Sequence, residues 1–325
     1  MNRNLFTLLV IATSLSLISC RKELTYYDIE RSIKVNCEVP SLDSLWGVEW
    51  QTALYMPWRE ESMGELGYTE PKTYINSIYK YRDMMCLYSH SMLCSSEPTP
   101  LYLNDGTYKF MICNTELNNT LIERVGGCTI TATSRRVTDS IRRAPEVLYT
   151  TCIDSLEVCT DYTKLYHHNG SWHEDIICST SPVTKIYLMQ IVTKYNGPRT
   201  FKIANLYLGN TLGTIELQSR KGRDECYTQC DIASIHRLSD TLTVARITTF
   251  GLTTMQPTIV IEYLDTATGN HPAIKRSVTI DKLQFDKGGI ITLNIDLNME
   301  LDNNSQGGFK PTLDEWKSED IGVDI

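Results

Sequence analysis

Period-two alternation of apolar and polar residues recurs along this chain, and it restricts the fold more than any other feature. It runs through "GTYKFMICN" (Gly106–Asn114), "TKIYLMQIVTKY" (Thr184–Tyr195), "TLTVARITTF" (Thr241–Phe250), "TIVIEYLD" (Thr258–Asp265) and "IITLNIDLNMEL" (Ile290–Leu301). Successive side chains on a strand point to opposite faces, so alternation marks a strand with one buried face. Tyr, Thr, Ile and Val dominate these runs, and their shapes pack well on a pleated surface. Turn chemistry falls between them, as "NDG" at Asn104–Gly106, "YNGP" at Tyr195–Pro198, "TGNHP" at Thr268–Pro272 and "KGG" at Lys287–Gly289. The pattern predicts an all-β protein built of sandwiches. Helical spacing is confined to "EPKTYINSIYKYRDMM" (Glu70–Met85), which predicts one short helix with Ile75, Ile78 and Tyr79 on a face.

The alternation weakens between Ser134 and Thr180 and resumes at Thr184. With 325 residues the chain is long enough for two cores. The expected division is 1–19, 20–178 and 179–325, with the break between the two globular parts near Asp175–Pro182. After residue 301 the chain turns polar and Gly-bearing, which reads as a loose tail or a last peripheral strand around Phe309 and Trp316.

Residues 1–19 carry a charged start at Arg3, an apolar stretch from Leu5 to Ile18, and the small Ser19. That is the order of a secretory signal peptide, and the stretch is short of the roughly 20 residues that span a bilayer. "LISC" (Leu17–Cys20) resembles a bacterial lipobox, which implies that Cys20 becomes the acylated first residue of the mature protein. Acyl chains contribute about 0.8 kcal/mol per buried methylene, so they would hold a globular body at a membrane surface. The formal net charge is -8, the opposite of the basic field that a nucleic-acid partner requires.

Eleven cysteines less Cys20 leave an even number, which permits disulfides in an exported protein. Cys152/Cys159 and Cys226/Cys230 are the close pairs. Several others sit inside apolar strand patterns, and most are expected to be buried thiols.

Motifs that would carry chemistry are weak. His167, His168, His173 and Glu174 are ligand types for zinc, but their spacing matches no zinc motif and the segment reads as an exposed loop. "CYTQC" (Cys226–Cys230), with His236 nearby, lacks the second pair that a structural metal site needs. Asp296, Asn298, Glu300 and Asp302 recur every second residue, as on the wet face of a strand whose dry face is Ile295, Leu297, Met299 and Leu301. There is no Gly-x-Ser-x-Gly, Gly-rich phosphate loop or His-Glu-x-x-His. The reading is a non-catalytic protein with no cofactor and no metal. Trp46, Trp50 and Trp58, with Tyr55 and Tyr68, are expected to fill a core, and Trp46 and Trp50 to share one side of a strand.

The order of "CRKELTYYD", "LNDGTYKFMICN", "APEVLYT", "SPVTKIYLMQIV", "ARITTFGL" and "LNMELDNNSQGGFKPTLDEW" along the chain resembles Bacteroidetes lipoproteins of the DUF5119 type. These are similar to FimB/Mfa2-like fimbrial accessory and anchor subunits. The resemblance implies two tandem transthyretin-like Greek-key β-sandwich domains after the signal peptide and a lipid anchor at Cys20 in the outer membrane. It also implies a role at the cell surface in fimbriae and adhesion, through strand addition from pilin-like subunits. The alternative is a glycan-binding surface lipoprotein, which would expose coplanar rings among Trp46, Trp50, Trp58 and Trp172. The segment Cys159–Asp175 and the number of cysteines depart from the family pattern.

Overall fold

The computed structural model describes residues 28–55, 68–83, 85–159, 171–254, 256–266, 272–280 and 287–298. Residues 1–27, Cys20 among them, and the C-terminal segment after residue 298 lie outside them. Eighteen strands are defined: β1 (Asp28–Cys37), β2 (Tyr74–Arg82), β3 (Met85–Cys94), β4 (Thr99–Leu101), β5 (Gly106–Asn114), β6 (Thr120–Arg124), β7 (Ile130–Ser134), β8 (Ile141–Arg143), β9 (Tyr149–Val158), β10 (Ser171–Pro182), β11 (Lys185–Lys194), β12 (Phe201–Glu216), β13 (Gly222–Gln229), β14 (Ile235–Arg237), β15 (Leu242–Thr249), β16 (Thr258–Asp265), β17 (Pro272–Thr279) and β18 (Gly288–Asp296). Two short helices, α1 (Leu42–Trp46) and α2 (Trp50–Ala53), follow β1. The all-β architecture and the first four alternating runs are as the sequence predicts; the fifth, expected over Ile290–Leu301, is a strand only as far as Asp296, and residues 299–301 lie outside the described residues.

The strands form three sheets. The first has the order β3-β2-β5-β9-β10-β1-β4, with β1 and β10 parallel and the other neighbours antiparallel. The second, β14-β15-β11-β18, pairs β11 parallel to β18. The third runs β17-β16-β12-β13-β8, and the β6–β7 hairpin joins it where β7 pairs with the end of β12.

The second sheet is the middle layer. Ile186, Leu188 and Val244 on one of its faces pack with Ile33, Tyr74, Ile78, Phe110 and Tyr149 of the first sheet. Tyr187, Met189, Ile191, Ala245 and Ile247 on the other pack with Leu206, Ile259, Ile261 and Tyr263 of the third. This explains why "KIYLMQIV" is almost continuously apolar: a strand covered on both faces has no wet side to alternate with. A third cluster joins Tyr79, Met111 and Cys113 on the outer face of the first sheet to Ile130, Ala132, Ile215 and Leu217. Strand β12 can serve two clusters because it is 16 residues long with register shifts near Ile203/Asn205 and Leu208/Thr211. The break expected near residue 178 falls inside β10, and β6, β7 and β8 lie before it in sequence while pairing in the third sheet.

Two expectations are corrected. Glu70–Met85 contains no helix; Tyr74–Arg82 is a central strand between β3 and β5. Tyr74 and Ile78 face one cluster while Ile75 and Tyr79 face another, and apolar residues on both faces at 74, 75, 78 and 79 imitate helical spacing. Trp46 and Trp50 lie on α1 and α2, not on a strand. A separation of four puts two residues on one side under either period. Here Ser41 Oγ accepts from the Ser44 N–H at 3.1 Å and starts α1, and Gly47 at φ 76° ends it.

Candidate functional site

Among the described strand edges, the long one that carries no charge is β3. Strands β4, β8 and β14 have three residues each. Strand β17 carries Lys275, paired with Glu262 at 3.1 Å, and Arg276, which donates to the Asp296 carbonyl at 3.1 Å. Beside β18 sits α2, tied to the middle sheet by Gln190, whose side chain accepts from the Tyr55 N–H (2.6 Å) and donates to the Ala53 carbonyl (2.9 Å). By contrast β3 has ten residues, "MCLYSHSMLC", with no Lys, Arg, Asp or Glu, and pairs only with β2 among the described strands. A long apolar edge presents a row of unpaired N–H and C=O groups, and proteins ordinarily guard such edges with charge, proline or a covering loop.

Its side chains suit a docked segment. Met85 is 58% exposed, Leu87 44%, Tyr88 42% and Leu93 64%. Ser91 Oγ lies 3.2 Å from Ser77 Oγ and 3.0 Å from the Tyr88 hydroxyl. The Tyr88 ring meets Tyr79 edge-on at 5.7 Å, and the Arg124 guanidinium lies over it at 3.6 Å. The hydrogen bond to Ser91 and then Arg124 hold the Tyr88 phenol below its usual range.

Arg124 belongs to β6, which pairs only with β7 among the described strands, so two sheets here present edges to one flank. Between them lies a cavity of about 140 Å³, lined by Ile75, Ser77, Ser91, Met111, Ile122 and Arg124 among others. It is apolar with a polar rim, and its size suits one large side chain. A larger cleft of about 540 Å³ lies elsewhere, lined by Asn118, Arg143, Glu146, Asp231 and Arg246 among others. No aromatic ring of the described residues lines it, and the Glu146 carboxylate is already committed to Asn118 N–H, Asn119 N–H and Thr120 Oγ1.

The residues singled out from sequence do not converge on this flank. Cys20, His167, His168, Trp58, Glu300 and Asp302 lie outside the described residues, and of His173 and Trp172 only the backbone, on β10, is described. Glu174 forms an ion pair with buried Arg31 at 3.0 Å. Asp296 ends β18 and accepts from Asn298 N–H at 2.9 Å and Nδ2 at 2.7 Å, while Ile295 and Leu297 are buried. Cys226 and Cys230 are buried free thiols, Cys230 donating to the Arg246 carbonyl at 3.2 Å, and His236 is on β14. Among the described residues no group of three or more His, Cys, Asp or Glu is placed to hold a metal ion. Trp50 is 6% exposed with its Nε1 donating to Asp43 at 2.5 Å, and Trp46 packs against the same core. Tyr68 is buried and Tyr55 is exposed. Sequence reasoning passed over β3 because its first residue was absorbed into the expected helix; ten residues free of charge beside a strand pattern were the available signal.

No family model matches the chain, and no curated protein matches it in sequence. Solved structures do share its shape. An adhesin candidate from Bacteroides ovatus aligns with a TM-score of 0.52 at 13% identity, over 84% of this chain and 93% of its own. A candidate polysaccharide-binding protein from Bacteroides thetaiotaomicron aligns at 0.48 and 9%, over 82% and 91%. The fimbrial anchor protein Mfa2 from Porphyromonas gingivalis aligns at 0.43 and 9%, over 82% and 90%. The chain has the all-β sandwich fold of the Bacteroides ovatus structure.

Proposed function

We propose that the chain is a non-catalytic fimbrial accessory or anchor-type subunit of the cell surface that accepts an extended segment of a pilin-like subunit on the open edge of β3. The single observation that carries this reading is β3 itself: ten uncharged residues paired only with β2 among the described strands, with Met85, Leu87, Tyr88 and Leu93 exposed. An added strand gains main-chain hydrogen bonds along such an edge, and pockets for alternate side chains select its sequence. The cavity beside β2 and β6 is the pocket in reach. The likeness of fold to a Bacteroides ovatus adhesin candidate agrees with the reading. In the same proposal the mature chain begins at acylated Cys20, is held by that lipid in the outer membrane, and is organised as 20–178 and 179–325. The glycan-binding alternative gains nothing from Trp50 and Trp46, which pack in the core.

The test places a photo-crosslinking residue at Leu87 of the full chain in its own cells, with Leu87→Lys/Leu93→Lys and Cys20→Ala beside it. Crosslinks to the extended segment of a fimbrial shaft subunit are expected. The double lysine variant stays folded, because both side chains are exposed, and loses about tenfold or more of the capture, since docking would bury two ammonium groups. Cys20→Ala leaves the membrane fraction. Capture of polysaccharide or transport components alone overturns the fimbrial reading; full capture by the lysine variant moves the site away from β3.

A further inference from the structure

An irregularity in β3 orders the outer face of its edge. Ser91 lies opposite Ser77 and His90 opposite Ile78, but the next pair is Tyr88 with Tyr79, so Ser89 is skipped, as at a bulge. On a regular strand, residues three apart face opposite sides. The skip instead brings Ser91 and Tyr88 to one face, where their hydroxyls meet at 3.0 Å. Two rows therefore run side by side across β2 and β3 to the open edge, Ser77/Ser91 and Tyr79/Tyr88.

The rows differ in chemistry. Ser77 and Ser91 border the cavity of about 140 Å³, whose remaining wall includes Ile75, Met111, Ile122, Ile130 and Leu217. Such a wall accepts an aliphatic side chain. The other row ends beneath Arg124, whose guanidinium lies 3.6 Å from the centre of the Tyr88 ring. Arg124 is exposed and forms no ion pair among the described residues, whereas Arg31, Arg142 and Arg199 each have a carboxylate partner. Glu123, its neighbour on β6, projects to the opposite face of that strand. A guanidinium stacked by its face on a ring keeps the N–H donors of its edge for an oxyanion.

We infer that the segment accepted on β3 carries an aliphatic residue and an Asp or Glu two positions apart, the first filling the cavity and the second pairing with Arg124. The inference rests on the strand-addition reading above and names the sequence chemistry of its partner. An added strand keeps the period of two, so its residues i and i+2 share a face and are spaced to meet the two rows. The direction in which the segment runs decides which of the two comes first. Strand β3 has no charge of its own, so Arg124 sets the sign: a Lys or Arg at the same place would meet like charge.

The test uses the photo-crosslinking residue at Leu87 of the full chain in its own cells and sequences the captured segment by mass spectrometry. An aliphatic residue two positions from an Asp or Glu is expected in it. Replacing that aliphatic residue by Ala in the captured subunit lowers capture by about tenfold or more, since most of a buried side chain is lost. Arg124→Gln lowers capture by about threefold and Arg124→Glu by about tenfold. Both variants fold, because Arg124 is exposed. A Lys in place of the segment's acidic residue restores capture by Arg124→Glu, which a merely damaged surface would not do. Lys202→Glu, on β12 beside β16 in the third sheet, leaves capture unchanged. A captured segment without that pair of residues, or full capture by Arg124→Glu, overturns the inference and leaves strand addition at β3 standing. Capture of no segment at Leu87 removes both.

Discussion

Asn76 shows how little a single residue is constrained by the pattern around it. It sits mid-strand in β2, fully buried between Tyr74 and Ile78, and neither atom of its amide finds a partner among the described residues. An unpaired polar atom out of water costs about 1–3 kcal/mol, and an apolar side chain of similar shape avoids that cost. Asn76→Leu is therefore expected to raise stability by about 1 kcal/mol or more, read as a higher urea midpoint with an unchanged slope; a lower midpoint would show that the amide is satisfied. The sequence placed Asn76 only as a polar residue of an expected helix. On a helix it would flank the Ile75, Ile78 and Tyr79 face, one turn before Tyr79; on a strand it shares the face of Tyr74 and Ile78 under the middle sheet.

At the scale of the element, the parallel pair β11–β18 depends on one glycine. Gly288 has φ 93°, and a Cβ there would stand 2.1 Å from the Ile186 carbonyl oxygen, which is backbone and cannot swing aside. Gly288→Ala is expected to destabilise the protein by at least about 2 kcal/mol, with loss of amide-exchange protection beginning at β18. "KGG" was legible as a turn before a strand, and β18 starts there. That its partner is β11, running parallel and distant in sequence, was not legible, because backbone pairing leaves no local signature. Strand β3 makes the same point in reverse. Its exposed Leu87 and Leu93 look in sequence like any half-buried strand, and it is the lack of a neighbour beyond β3 among the described strands that leaves them a surface.

At the scale of the molecule, the middle sheet ties the layers together. Removing residues 28–182 uncovers Ile186, Leu188 and Val244, and takes from β12 its pairing with β7. The fragment 183–298 produced alone is thus expected to aggregate or to unfold without cooperativity, whereas the chain carrying residues 28–298 gives a single sharp transition. A fragment as stable as its parent, with a well-dispersed spectrum, would show that the third sheet suffices as cover.

By itself the sequence determined the all-β class, the position of four long strands and the start of a fifth, since periodicity and turn chemistry are local and survive without knowledge of neighbours; the turn expected at Thr268–Pro272 falls largely outside the described residues. It left open what long-range pairing decides. The doubly covered β2 and β11 carry apolar residues on both faces, so their pattern does not distinguish strand from helix or one core from two. The open edge at β3 and its opposition to β6 exist only once residues remote in sequence are brought together, because an edge is defined by the strand that does not follow it in space.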